Sequence, residues 1–182
     1  MSTYIYETVQ SLIEKYNTSD PYRLIKLMGI KLVYMNEAKT LMGVYTVVLR
    51  QRTIIIRQNL GKLKKSILAH ELGHDSLHRH IKNKDNMVNF LDDALYAPYD
   101  SKEMEANIFA CHLLIPDDRF LSLYKENLPF AEMANMFEVP IEFVNLKSYE
   151  LYKMGMLDAK SYCFDRPRGD FLSKNYGYTN LL

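Results

Sequence analysis

Residues 70–80 read HELGHDSLHRH, and the first five of them match the pattern HExxH. Apolar residues recur around it at helical spacing, so the sequence predicts one helix over about residues 60–79. Because four residues are slightly more than one helical turn, His70 and His74 project from the same face. Two neutral imidazoles suit Zn²⁺, which in a catalytic site takes a third protein ligand and a water. Glu71 can reach that water and act as its general base.

The histidines that follow the motif do not identify the third metal ligand. His80 lies six residues after His74, close to the string HExxHxxGxxH, but Leu77 occupies the glycine position that lets the chain turn back. In a helix that continues, His80 points away from the other two. His78 is one turn beyond His74 but too far along the axis from His70 to share a metal. We expect His78 to hydrogen-bond near the site or to pack against the helix.

The next predicted helix offers two carboxylates. Asp100 and Glu103 form a capping-box pattern at its start, and the helix ends before Pro116. Glu103 and Glu105 are both candidates for an acidic ligand, as in zinc peptidases whose third ligand is glutamate. Since Glu103 already has a local task in the capping box, Glu105 is the freer carboxylate.

Taken together, HELGHDSLH and the segment EMEANIFACHLLIP about thirty residues later resemble the ImmA/IrrE family of small intracellular zinc peptidases. The resemblance covers roughly residues 20–155. It implies Zn²⁺ on His70, His74 and Glu105, with Glu71 as general base. His78 matches the trailing histidine of the family's first motif, which favours a supporting role beside the metal ligands.

Members of this family cleave or otherwise inactivate a helix-turn-helix repressor of a phage, a mobile element or a stress regulon. The resemblance therefore implies a zinc endopeptidase with a repressor as its protein substrate. The alternative is a regulator that binds the repressor without cleaving it and uses the metal for structure. Tyr96 and Tyr99, which lie between the two motifs, are the candidates for an oxyanion donor.

Composition restricts the class of protein further. The chain has 182 residues, a net charge of +1, and 48% apolar against 25% charged residues, as in a globular domain with a sizeable core. Near-neutral charge argues against a protein that mainly grips nucleic acid phosphates or an acidic membrane. The two cysteines exclude a disulfide scaffold, and neither a signal peptide nor a membrane-length apolar run is visible. We therefore expect a cytoplasmic protein with no membrane partner.

The expected fold is α+β, a mostly helical zincin-like domain over residues 1–164 with a small antiparallel three-stranded sheet beside the HExxH helix. Helices are predicted over 3–16 and 20–28, and strands over 31–35, 44–49 and 53–56. The hairpin turn is predicted at Gln51–Arg52 and a helix cap at Asn59. The C-terminal part, about 117–155, is predicted to contain helices over 117–124, 129–137 and 140–154, and residues 165–182 to form a turn-rich tail.

The helix pair predicted over 129–155 also permits a DNA-binding helix-turn-helix. Its charges oppose that use, because two lysines face four glutamates, for a local net charge of −2. Such a helix would repel phosphates. We therefore expect no direct contact with nucleic acid and assign the pair to packing or substrate docking.

Overall fold

The computed structural model describes residues 2–36, 41–79, 101–158 and 171–172. In this part of the chain the elements are α1 (Ser2–Tyr16), α2 (Pro21–Leu27), β1 (Lys31–Met35), β2 (Gly43–Val48), β3 (Gln51–Arg57), α3 (Lys64–Gly73), α4 (Ser101–Leu114), α5 (Asp117–Lys125), α6 (Phe130–Phe137) and α7 (Ile141–Lys153). A 3₁₀ turn (Gly61–Leu63) precedes α3 and a π-helical turn (His74–His78) follows it. The predicted α+β class is confirmed.

The sheet has the strand order β1-β3-β2. β3 takes the centre because Ile54 and Ile56 are fully buried, whereas both neighbours are more exposed. β2 is antiparallel to β3, but β1 is parallel to it. The prediction of an all-antiparallel sheet is therefore wrong. Only β2 and β3 are joined by a hairpin, which requires antiparallel pairing, whereas β1 and β2 lie on opposite sides of β3.

The hairpin turn lies one step earlier than predicted. Val48 pairs with Gln51, so Leu49 and Arg50 form the two-residue turn, with φ values of 48° and 65°. A turn of this kind needs positive φ at both central residues. Gln51 and Arg52, which were expected to turn, begin β3 instead.

The helical span predicted over 60–79 is confirmed, but it is not one regular helix. Its α-helical part is preceded by the 3₁₀ turn and followed by the π turn. Asn59 does not cap it, because Leu60 occupies the cap position and no side chain bonds to the first turn. At α2, in contrast, Asp20 accepts a hydrogen bond from the Arg23 N–H at 2.9 Å, as the Asp-Pro start predicts.

Two helices lie at the centre of the domain. In α3, residues 66–73 are all buried, and in α4, residues 106–113 are all buried. A helix that is buried on every side must have neighbours all round. α4 packs against α1, α3 and α7, and α3 also packs against α2 and the sheet. The HExxH motif and the second motif therefore face each other in the interior.

The predicted helices of the C-terminal part are confirmed within one or two residues at each end. α7 packs against α4 and buries most of its length, including Lys147. Lys147, one of the two lysines in the charge balance of the predicted helix pair, is thus internal. Within the described ranges, no helix combines the length and apolar character that a membrane crossing needs. The tail over 165–182 lies, apart from residues 171–172, outside the described residues.

Candidate metal centre

The close approach of α3 and α4 depends on one glycine of the HExxH motif. A Cβ atom added to Gly73 would lie 2.9 Å from the Ala106 Cα and 3.1 Å from the Ala106 carbonyl oxygen. Both are backbone atoms, so any larger residue would push the two helices apart. The glycine lets the histidines of α3 reach side chains of α4.

Three potential metal ligands converge between these helices. The Nε2 atoms of His70 and His74 are 3.1 Å apart. The Glu103 carboxylate lies 3.1 Å from His70 Nε2 and 3.2 Å from His74 Nε2, through different oxygen atoms. Among the described residues, these three form the group of His, Cys, Asp and Glu side chains that could hold a metal ion.

The spacing of this group fits a small tetrahedral cation. Ligand atoms placed tetrahedrally at about 2.0–2.1 Å from Zn²⁺ lie about 3.3 Å from each other. The two Nε2 atoms lie 3.1 Å apart, close to that value, and one ligand atom from each of the three residues lies within 4.8 Å of the others. Two imidazoles and a carboxylate are also the donor set of one class of catalytic zinc site. The residues present therefore fit zinc.

Electrostatics favour a positive charge within this group. Burial by itself lowers the pKa of His70, but the adjacent Glu103 carboxylate outweighs it and raises that pKa to about 9. Burial likewise favours the neutral form of Glu103, yet its hydrogen bonds to His70 and His74 hold the pKa of this carboxyl well below its usual range. Without a metal, a proton on the imidazole offsets the negative charge of Glu103. A metal ion would take over that task.

His70 is oriented by a buried amide. Its Nδ1 lies 2.8 Å from Oδ1 of Asn107, which is fully buried on α4. Because an amide oxygen only accepts, Nδ1 of His70 is the donor, and the neutral ring then directs a lone pair on Nε2 toward the centre. Asn107 is four residues after Glu103 on α4, so one helix face supplies both groups.

Glu71 lies next to this group in a confined position. It is 5% exposed, and burial raises the pKa of its carboxyl. The backbone N–H of Tyr45 in β2 donates to this carboxylate. A Cβ atom added to Gly43 would lie 2.7 Å from Glu71 Oε1 and 2.6 Å from Ile67 Cγ2, so β2 passes directly over the carboxylate. A buried carboxyl with a raised pKa is suited to accepting and returning a proton near neutral pH.

The structure places Glu103, and not Glu105, beside the histidine pair. Glu105 Oε2 instead lies 3.0 Å from His78 Nε2, and His78 Nδ1 lies 3.1 Å from His74 Nδ1. Glu103 and Glu105 are two residues apart on α4, so they point to different sides of the helix. Glu103 reaches the imidazoles although it stands where a capping box was expected; Asp100, the other half of that box, lies outside the described residues.

Three other candidates, His80, Tyr96 and Tyr99, also lie outside the described residues. Sequence reasoning missed Asn107 and Gly43. Asn107 was within reach of it, because the i, i+4 spacing that links His70 and His74 also links Glu103 and Asn107. Gly43 carried no such signal, because its contact with Glu71 joins two distant segments.

An HExxH helix whose two imidazoles meet a glutamate from a second helix is the arrangement typical of one class of metal-dependent peptidases. The comparisons with known proteins agree with this class. The model of the M78 peptidase family, described as the IrrE N-terminal-like domain, matches residues 25–149. The chain belongs to this family, as its resemblance to ImmA/IrrE predicted.

One relative from the curated proteins extends the likeness. It is 36% identical over 148 residues, which are 80% of this chain and 89% of the relative. That relative is called "Uncharacterized immunity region protein 2" and comes from Bacillus phage phi105. Phage origin agrees with the setting that the family resemblance implied.

Proposed function

We propose that this protein is a zinc-dependent endopeptidase that cleaves a partner helix-turn-helix repressor and so releases the genes that the repressor controls. The observation that carries the proposal is the convergence of His70, His74 and Glu103 within 3.2 Å of one another, with the buried Glu71 beside them. Membership of a peptidase family and a relative from a phage immunity region support it.

In this proposal His70, His74 and Glu103 hold the metal, so Glu103 replaces Glu105 as the expected third ligand. Zinc bound there would polarise the scissile carbonyl and lower the pKa of the attacking water. Glu71 takes a proton from that water and passes it to the leaving amine, for which its raised pKa is suited. The Tyr45 N–H and the close contact with Gly43 hold the Glu71 carboxylate in position.

The first prediction concerns Glu71→Gln. This variant keeps the shape of the side chain but cannot accept a proton, so cleavage should fall by at least about 100-fold, whereas zinc content and fold should not change. The substrate is a purified helix-turn-helix repressor encoded beside the gene of this chain. Cleavage is followed by the mass of its fragments, zinc by metal analysis and fold by circular dichroism.

A matched control is Glu14→Gln, which makes the same chemical change at an exposed site on α1. It should cleave like the wild type. Cleavage that survives in Glu71→Gln would reject the mechanism. A repressor that is released from its operator by Glu71→Gln without being cut would favour the alternative, a regulator that acts by binding.

A further inference from the structure

One face formed by α3 and the π turn that follows it presents three histidines in a row. The ring centroids of His70 and His74 are 4.8 Å apart, and those of His74 and His78 are 5.3 Å apart. Nδ1 of His78 lies 3.1 Å from Nδ1 of His74. This His74 nitrogen faces away from the group formed by His70, His74 and Glu103. Nε2 of His78 meets the Glu105 carboxylate at 3.0 Å. The chain of contacts runs from Glu105 through His78 to His74.

We propose that Glu105 and His78 are positioning residues that hold His74 in the tautomer required for metal binding; this rests on the proposed zinc site. The inference follows from donor and acceptor chemistry. An ionised carboxylate only accepts, so Nε2 of His78 must donate to Glu105. In a neutral ring the remaining nitrogen, Nδ1 of His78, then accepts, and it accepts from Nδ1–H of His74. His74 is left with a lone pair on Nε2.

The Nε2 lone pair of His74 faces the other two proposed ligands, His70 and Glu103. His74 Nε2 is 3.1 Å from His70 Nε2 and 3.2 Å from the Glu103 carboxylate. His70 reaches the same state through a different partner, the Asn107 amide. Each ligand imidazole thus has its own fixed acceptor at Nδ1, which is the arrangement that sets tautomer and ring orientation in metal sites.

The contact between His74 and His78 lies in a locally widened part of the helix. Residues 74–78 form a π turn, which is wider than an α turn and is found mostly as a local insertion. The turn is fastened by Asp75, whose Oδ2 is 2.9 Å from Nη1 of Arg52 in β3. Asp75 is 1% exposed, so this ion pair ties the turn to the sheet.

Shielding from solvent makes the chain of hydrogen bonds effective. The His78 side chain is 9% exposed and the Glu105 side chain 20% exposed. At this depth water competes weakly for the hydrogen bonds, and a bond to an ionised carboxylate is stronger than one between neutral groups. A histidine that served only for packing would not require a carboxylate partner at its Nε2 atom.

The test measures zinc affinity by competition with a chelator and the tautomer of His74 by ¹⁵N NMR of the imidazole nitrogens. His78→Leu removes the acceptor, so the affinity should fall by about 10–100-fold and His74 should shift toward the Nε2–H form. His78→Asn keeps an acceptor at the same distance along the side chain and should restore most of the affinity. Packing alone would make Leu the better substitute of the two.

Glu105→Ala provides an independent readout if His78→Leu does not fold. It should weaken zinc binding by about tenfold, because His78 loses the partner that fixes its own tautomer. Glu132→Gln, which removes an exposed carboxylate on α6, should bind zinc like the wild type. Folded His78→Leu or Glu105→Ala proteins with wild-type affinity and an unchanged His74 tautomer would overturn the proposal.

The outcomes separate this proposal from the proposed function. Zinc binding that weakens as described, in a protein that cuts no repressor, would leave the positioning role intact and remove the peptidase. If the wild type cleaves the repressor but zinc affinity does not change in the His78 and Glu105 variants, the peptidase proposal stands and the positioning role is rejected.

Discussion

At the scale of the residue, two glutamates on one helix have different partners. Glu103 contacts the imidazoles of both His70 and His74, whereas Glu105 contacts His78. In an α-helix residues two positions apart point about 200° away from each other. Only one of the two carboxylates can therefore face the metal group directly, and the other can influence it only through a further side chain.

This difference predicts unequal effects on zinc affinity. Glu103→Ala removes a ligand, so it should weaken binding by more than the roughly 10–100-fold that is typical of an outer hydrogen-bond partner. Glu105→Ala should cost less than Glu103→Ala. Isothermal titration of the metal-free proteins compares the two variants under the same conditions. A larger loss of zinc affinity in Glu105→Ala than in Glu103→Ala would indicate that Glu105 is the third ligand.

At the scale of the element, the separation between α3 and α4 determines whether Glu103 reaches the histidine pair. The two helices contact through Gly73 and the backbone of Ala106. His70 and His74 lie on one side of this contact, and Glu103 and Asn107 approach them from the other. A shift of a few tenths of an ångström between the helices would act on all four side chains together.

Gly73→Ala tests this coupling. The added methyl group would overlap backbone, so the variant should lose about 1–3 kcal/mol of unfolding free energy and also bind zinc more weakly. Urea denaturation and chelator competition measure the two effects.

Gly29→Ala serves as the control. Gly29 has φ +68° and open space around its Cβ position, so alanine there adds backbone strain without a clash. It should lower stability but leave zinc affinity unchanged. A Gly73→Ala protein with wild-type affinity would show that the helix separation does not control the site.

At the scale of the whole molecule, a buried polar cluster joins helices that are distant in sequence. Lys147 of α7 is fully buried, forms an ion pair with Asp117 of α5, and lies 2.9 Å from Nδ1 of His112 in α4. Tyr6 of α1 donates to the same aspartate at 2.7 Å, and this contact, together with burial, raises the pKa of Tyr6 to about 12. The cluster connects α4 with α1, α5 and α7.

Removing the lysine should therefore destabilise the fold as a whole. Lys147→Met leaves Asp117 without its buried partner and should cost about 3–5 kcal/mol of unfolding free energy, measured by urea denaturation. The double variant Lys147→Met, Asp117→Asn should recover part of that loss, because no unpaired charge remains. Lys125→Met, at an exposed position on α5, should change stability by less than about 0.5 kcal/mol. No recovery in the double variant would contradict the ion-pair account.

The sequence alone predicted the parts of this protein that depend on local patterns. Helical spacing placed α1, α2 and α5–α7 within one or two residues, and the Asp-Pro start of α2 predicted its cap. The HExxH spacing brought His70 and His74 together because both lie within little more than one turn. Two short motifs also indicated the family, which the match over residues 25–149 shows.

Other features depend on contacts between segments that are distant along the chain. β1 pairs in parallel with β3, and the partner and direction of a strand depend on segments that are distant in sequence. The close approach of Gly43 to Glu71 also joins distant segments, and it places β2 against the proposed general base.

The sequence by itself determined the motif helix, the histidine pair and the carboxylates available to complete the site. Which carboxylate faces the pair was decided only by the tertiary structure. The rotation of α4 about its axis is set by packing, including the contact of Gly73 with Ala106, and that rotation turns Glu103 toward the imidazoles. Local sequence rules specify which residues share a helix face, but only packing specifies what that face meets.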